Sequence, residues 1–210
     1  YMYGSPKRKI DDEYAKVRAE NDWTAAQAAQ YPDRLRAFCS FNPLKDYALD
    51  ELARCGASPG LRHGIKLHFG NSDVQVDEPV HLERLKQVFR AANKHRMAIA
   101  VHMRASISKK RPYGAAQAQV FLDQLLPEGP DVPVQVAHMA GTGPGYDDPP
   151  SDSAMAVLAR AARLAGSALP DCGRRALRPG GRDGGRPPHR HAPLQDADHG
   201  RRPRPPDAAP

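Results

Sequence analysis

Met97–Arg104, MAIAVHMR, is the stretch on which the reading of this chain turns. An apolar, strand-prone run ends in a histidine and an arginine, with a basic helix end (KHR, 94–96) before it and a polar loop (ASISKKRPYG, 105–114) after it. In α/β proteins ligands bind beyond the carboxyl ends of the strands, so imidazole and guanidinium at a strand's end point to chemistry as well as packing. Two stretches repeat the pattern: GIKLHFG (64–70), with His68, and VPVQVAHMAG (132–141), with His138. The three histidines are spaced 34 and 36 residues apart. That is about the length of one strand, one helix and two loops.

Working outward, Leu82, Leu85, Val88, Phe89 and Ala92 fall on one helical face just before the central strand, with charged residues opposite. RHGIKLHF (62–69) reads as the preceding strand, and GNSDVQVDEP (70–79) as a long polar loop lying over a site. Earlier still, LRAFCSF (35–41) reads as a short strand closed by Asn42 and Pro43, followed by the helix DYALDELARCGA with Tyr47, Leu49 and Leu52 apolar. Ile10, Tyr14 and Val17 begin a helical stripe that runs to Gln30, where YPD breaks it. Downstream, a helix is expected from Tyr113 to Leu126 and is stopped by Pro127, Gly129 and Pro130. VPVQVAHM (132–139) is the fourth strand, and an Ala-rich helix follows over 152–164. Strands alternating with helices, without hairpin signals, imply an α/β fold with a parallel sheet and right-handed crossovers. Four strand–helix units make half of an eightfold barrel or a small open sheet, and periodicity leaves both open. Half a barrel would leave two parallel-strand edges and the inner faces of four helices uncovered, so poor solubility or self-association into a homo-oligomer is expected.

The last 41 residues differ in kind. Pro, Gly and Arg fill 24 of positions 170–210, no Lys follows Lys110, and no aromatic residue follows Tyr146. This composition reads as a disordered basic tail or as the product of a slipped reading frame in GC-rich DNA, and the second is preferred because the array stops in mid-pattern. The expected division is therefore 1–169 and 170–210. The tail also carries +4 of the formal charge of +7, so the foldable part is nearly balanced. A non-catalytic interaction module whose basic tail binds nucleic acid is a second reading, and Arg without interleaved aromatics weighs against it, leaving a small-molecule substrate as the expected partner. Cys39, Cys55 and Cys172 are odd in number and lack CxxC spacing, which predicts free thiols in a reducing, cytoplasmic setting. No apolar run approaches the roughly 20 residues of a membrane span.

At a strand's carboxyl end a neutral imidazole can ligate a divalent ion or move a proton, and His102 and His138 lead on this ground. The competing reading is a core histidine satisfied by a backbone carbonyl, and recurrence at three strand ends weighs against it. Lys66 and His68 are two apart on one strand and share a face, which puts Lys66 one layer deeper than His68. An ammonium there needs a partner or a modification. It would be a metal-bridging ligand when carboxylated, an electrostatic stabiliser or half of a buried ion pair, and the ion pair is favoured. Arg104 would hold a substrate carboxylate in its bidentate fork or be a solvated loop arginine. HRH (189–191) follows GGRPP instead of an apolar strand and is discounted, and AGTGPGY (140–146) lacks the lysine of a P-loop.

Taken together, YPDRLRAFCSFNPL, GIKLHFGNSDV, MAIAVHMR and PVQVAHMAG resemble, in order and spacing, the metal-dependent amidohydrolases of the amidohydrolase-related (family 2) group. The resemblance runs from about residue 10 to 150. It implies a partial (β/α)8 TIM barrel whose strands here are the third to sixth. It implies that His102 matches the fifth-strand metal ligand, and that His138 matches the sixth-strand histidine that is a second ligand or orients water. His68 is a further metal candidate, and Lys66 and Arg104 join His138 as candidate catalytic residues. The implied cofactor is a divalent metal, zinc or else manganese, and the implied reaction is hydrolysis of a small carboxylated or cyclic substrate by metal-activated water, with decarboxylation as the alternative. Members of the group also carry an HxH on the first strand and an aspartate on the eighth, which this sequence does not show. The chain is thus expected to be an inactive fragment.

Overall fold

In a computed structural model the structure describes residues 10–141 and 149–168, all within the unit Tyr1–Leu169. The expectations for the 170–210 tail, HRH and Cys172 lie outside the described residues. In chain order the elements are α1 (Glu13–Ala29), β1 (Cys39–Ser40), α2 (Ala48–Ala57), β2 (Gly64–His68), the single turn α3 (Phe69–Ser72), α4 (Pro79–Lys94), β3 (Ala98–His102), α5 (Ala115–Val120), β4 (Val134–Val136) and α6 (Pro149–Ala168). After α5 the chain relaxes through a π turn (Phe121–Leu125) and a 3-10 turn (Leu126–Glu128) before Gly129.

The four strands form one parallel sheet in the order β1-β2-β3-β4. Sequential strands are therefore neighbours, as successive strand–helix–strand crossovers require. Register places Lys66 beside Ser40 and Ala100, and His68 beside His102. Side chains alternate across a strand, so one face of the sheet carries Ile65, Leu67, Ile99 and Val101, all at most 1% exposed. These pack with Leu85, Val88 and Phe89 of α4 and Leu52 of α2 in one apolar cluster. The other face carries Ser40, Lys66, His68, Ala98, Ala100 and His102, all half-buried. The observed sheet agrees with a partial barrel-like array.

The polar loop expected over 70–79 is partly ordered and apolar inside: Phe69 opens α3, and Val74 and Val76 are buried. Of the apolar stripe expected at helix α1, Val17 is buried in the core while Ile10 and Tyr14 are half-buried. The buried residues of α1 are Glu13, Val17 and Asn21. Glu13 accepts from Lys45 Nζ at 2.8 Å and Tyr47 Oη at 2.6 Å. Asn21 accepts from the Ser40 N–H at 2.9 Å and donates to the Ser40 carbonyl at 3.0 Å, which satisfies the backbone on the outer edge of β1. It also donates to Glu51 Oε1 at 2.7 Å, and Glu51, fully buried, pairs with Arg54.

The cysteine expectation is corrected here. Cys39 on β1 and Cys55 on α2 form a disulfide, because helix α2 lies directly against the strand and brings two residues 16 apart to a Cα separation of 6.1 Å. Close packing also explains Gly56, where a Cβ would come within 2.7 Å of the His95 ring at the end of α4.

Candidate active site

The carboxyl ends of β2, β3 and β4 bring the three histidines together. His68 stacks on His102 with ring centroids 4.0 Å apart and planes at 21°, and His102 meets His138 at 5.3 Å and 56°. Register explains the first contact, since His68 and His102 are paired neighbours on one face. Burial and four nearby groups then act on one ring: desolvation, followed by His68, His138, Lys66 and Arg104, pushes the His102 pKa down to about 4. His102 is thus a neutral imidazole with a lone pair to give at neutral pH. His68 is also lowered, by burial first and then by Lys66.

His138 sits on unusual backbone. His138, Met139, Ala140 and Gly141 have φ of 55°, 49°, 60° and 72°, a left-handed run in which three residues carry side chains. Such conformations cost about 1–3 kcal/mol each and persist only where surroundings impose them. Two side chains from beyond β3 do so. Tyr113 Oη donates to the Ala140 carbonyl, and Arg104 donates from a terminal guanidinium nitrogen to the Gly141 carbonyl at 3.2 Å. Arg104 also lies over the Tyr113 ring, 5.4 Å from its centroid. Burial pushes the Tyr113 phenol up to about 12, so it remains a donor across the neutral range.

These contacts revise two expectations. Arg104 is 3% exposed, so it is not a solvated loop arginine; it is built into the support of the His138 turn. Lys66 does lie on the histidine face one layer deeper, but among the described residues no carboxylate forms an ion pair with it. Instead it lines a cavity of about 260 Å³ with Ser40, Phe38 and Asn21, and burial lowers its pKa. Tyr113 was not singled out from the sequence. Its role depends on a carbonyl 27 residues away, which no local pattern marks.

The loops above the site are tied to each other. Asp73, in the segment after β2, pairs with Arg111 at 3.1 Å and Lys109 at 2.9 Å, both from the segment after β3. Burial alone would raise its carboxyl pKa, but the two cations more than offset that and hold it below the ordinary range. Gly70 permits the approach: a Cβ there would sit 3.2 Å from the Arg104 carbonyl oxygen.

Among the described residues, ligand atoms of the three histidines do not all lie within 4.8 Å of one another; the trio that does, Cys39, Glu51 and Cys55, lies behind the sheet with its two sulfurs joined in the disulfide. A family model described as amidohydrolase matches residues 4–203. Comparison with curated proteins and with solved structures returned no match. No helix among the described residues is long and apolar enough to cross a membrane.

Proposed function

The chain belongs to the amidohydrolase family, and from that premise we propose that it contributes the central strands of a metal-dependent hydrolase acting on small carboxylated or cyclic substrates. The observation that carries the reading is the neutral His102 imidazole set between His68 and His138 at the carboxyl ends of three parallel strands. His102 and His138 fit a divalent ion, zinc before manganese, as two of its ligands: both are nitrogen donors at strand ends, and His102 is held unprotonated. When bound, such an ion polarises a carbonyl and lowers the pKa of its water toward about 7.

The chain's own residues do the remaining work. His138, exposed on its left-handed turn, is the second of these ligands and stands where solvent reaches it. Arg104 and Tyr113 hold that turn in place and act as positioning residues. Lys66, without a carboxylate to pair with it among the described residues, is available to stabilise negative charge that develops on the same face. Its lowered pKa suits a group that exchanges protons more readily than an exposed lysine does.

The expected metal behaviour follows from ligand count, because a catalytic zinc site takes about three protein ligands and an open position. The full chain purified with zinc and dialysed should retain less than one equivalent by elemental analysis and show no hydrolase turnover. His102→Ala and His138→Ala should each remove what is retained. Zinc that stays bound in both variants would take the two histidines out of the metal site and end this reading.

A further inference from the structure

His68 has a different job from its two neighbours, and the hydrogen-bond pattern around it says which. The side chain is the N-cap of α3: its Nδ1 accepts a hydrogen bond from the Asn71 backbone N–H at 3.1 Å. An imidazole nitrogen that accepts has no proton, so a neutral His68 must carry its proton on Nε2. A protonated His68 would have a hydrogen on Nδ1 pointed at the amide hydrogen, and that contact would break. The cap therefore selects the tautomer with its proton on Nε2. The ring so held stacks on His102 with 4.0 Å between centroids.

Metal ligation needs the opposite arrangement. A ligating imidazole gives a lone pair from one nitrogen and usually donates the hydrogen of the other to an acceptor, which fixes its tautomer. In His68 the nitrogen with the lone pair is consumed by the Asn71 amide, and the other nitrogen is an N–H donor. Among the described residues nothing accepts from Nε2.

We propose that His68 is not a metal ligand but a fixed, neutral Nε2–H donor that takes an acceptor oxygen of the substrate, a carboxylate or carbonyl, beside His102. The proposal deepens the hydrolase reading and rests on it for the word substrate. The tautomer itself stands apart from that reading. Gly70 leaves room beside the ring: a Cβ there would stand 3.2 Å from the Arg104 carbonyl oxygen and 3.4 Å from His68 Cε1.

The test uses the full chain with ring-labelled histidine and long-range proton–nitrogen correlation spectra. His68 should show an unprotonated shift at Nδ1 and a protonated one at Nε2, whether or not zinc is present. The reverse pattern, or two protonated nitrogens at neutral pH, overturns the proposal. Zinc titration supplies the second arm: His68→Gln and His68→Ala should leave the affinity within about twofold, whereas removing a true ligand weakens it by about tenfold or more. A tenfold loss in both His68 variants overturns the proposal. If the unmodified chain takes no zinc, the hydrolase reading fails while the spectra still decide the tautomer. Malonate, used as the carboxylate probe, should shift the His68 Nε2 proton and bind more weakly to His68→Ala than to His68→Gln, whose amide N–H replaces the donor. No shift with malonate removes the carboxylate from the proposal.

Discussion

Consecutive residues of the same two strands lead opposite lives. On the helix side of the sheet, Ile65, Leu67, Ile99 and Val101 are at most 1% exposed and belong to the apolar cluster. On the other side, Lys66, His68, Ala98, Ala100 and His102 remain half-open, and three of these five are basic or titratable in kind. One face holds the fold together and the other holds groups whose solvation has been partly removed without full pairing. The comparison teaches that a parallel strand can be read twice, once at odd positions for stability and once at even positions for chemistry.

The largest effect should come from the packed face. Leu67→Ala leaves a cavity among residues that cannot collapse onto it and should cost about 2–5 kcal/mol in denaturant-induced unfolding. A cost no greater than that of substitutions across the strand would break the comparison. A smaller effect belongs to His102. Its folded pKa of about 4 lies below its unfolded value near 6.5, so the unfolded chain binds the proton more tightly. In the metal-free chain, stability contributed by the neutral ring is therefore fully present above pH 6.5 and is lost as the pH falls toward about 4. Melting temperatures measured across that window should decline, and His102→Asn should flatten the decline. A flat profile in the unmodified chain would show that the open face is more solvated than its geometry implies. The smallest effect is Lys66→Met, which removes a partly desolvated ammonium that has no carboxylate partner among the described residues; the change in unfolding free energy should stay within about 0.5 kcal/mol. A loss of several kcal/mol would mean that Lys66 is anchored after all.

Most of the two faces could be read from the chain. The stripe Leu82, Leu85, Val88, Phe89 and Ala92 is buried as its period requires, because a helix against a sheet has only that way to hide apolar area. Three strand-end histidines were visible as a repeat, and the shared face of Lys66 and His68 followed from strand alternation. Where polar groups are buried, hydropathy gives no sign. Helix α1 packs through Glu13 and Asn21, whose partners lie up to 34 residues away. Arg104 and Tyr113 support a turn they are far from in sequence, and the Cys39–Cys55 bond depends on how α2 docks on β1. Each of these is a long-range pairing of polar or sulfur atoms, and pattern alone registers only the apolar majority. The short length of β1, two residues against the seven expected, has the same origin, since Phe38 bridges to Arg62 in the opposite direction and does not continue the parallel ladder.

Asn21 gives the sheet a sense of direction for growth. Its carboxamide presents one acceptor and one donor to Ser40, the same two groups that a neighbouring strand would present, so a single side chain stands in for a peptide unit. Any strand arriving at the outer edge of β1 must compete with a partner already in place. To win, it must also strip Glu51 of a donor, because the same amide serves both. Extension at that end is therefore an exchange reaction, with a toll levied on the buried carboxylate behind the sheet.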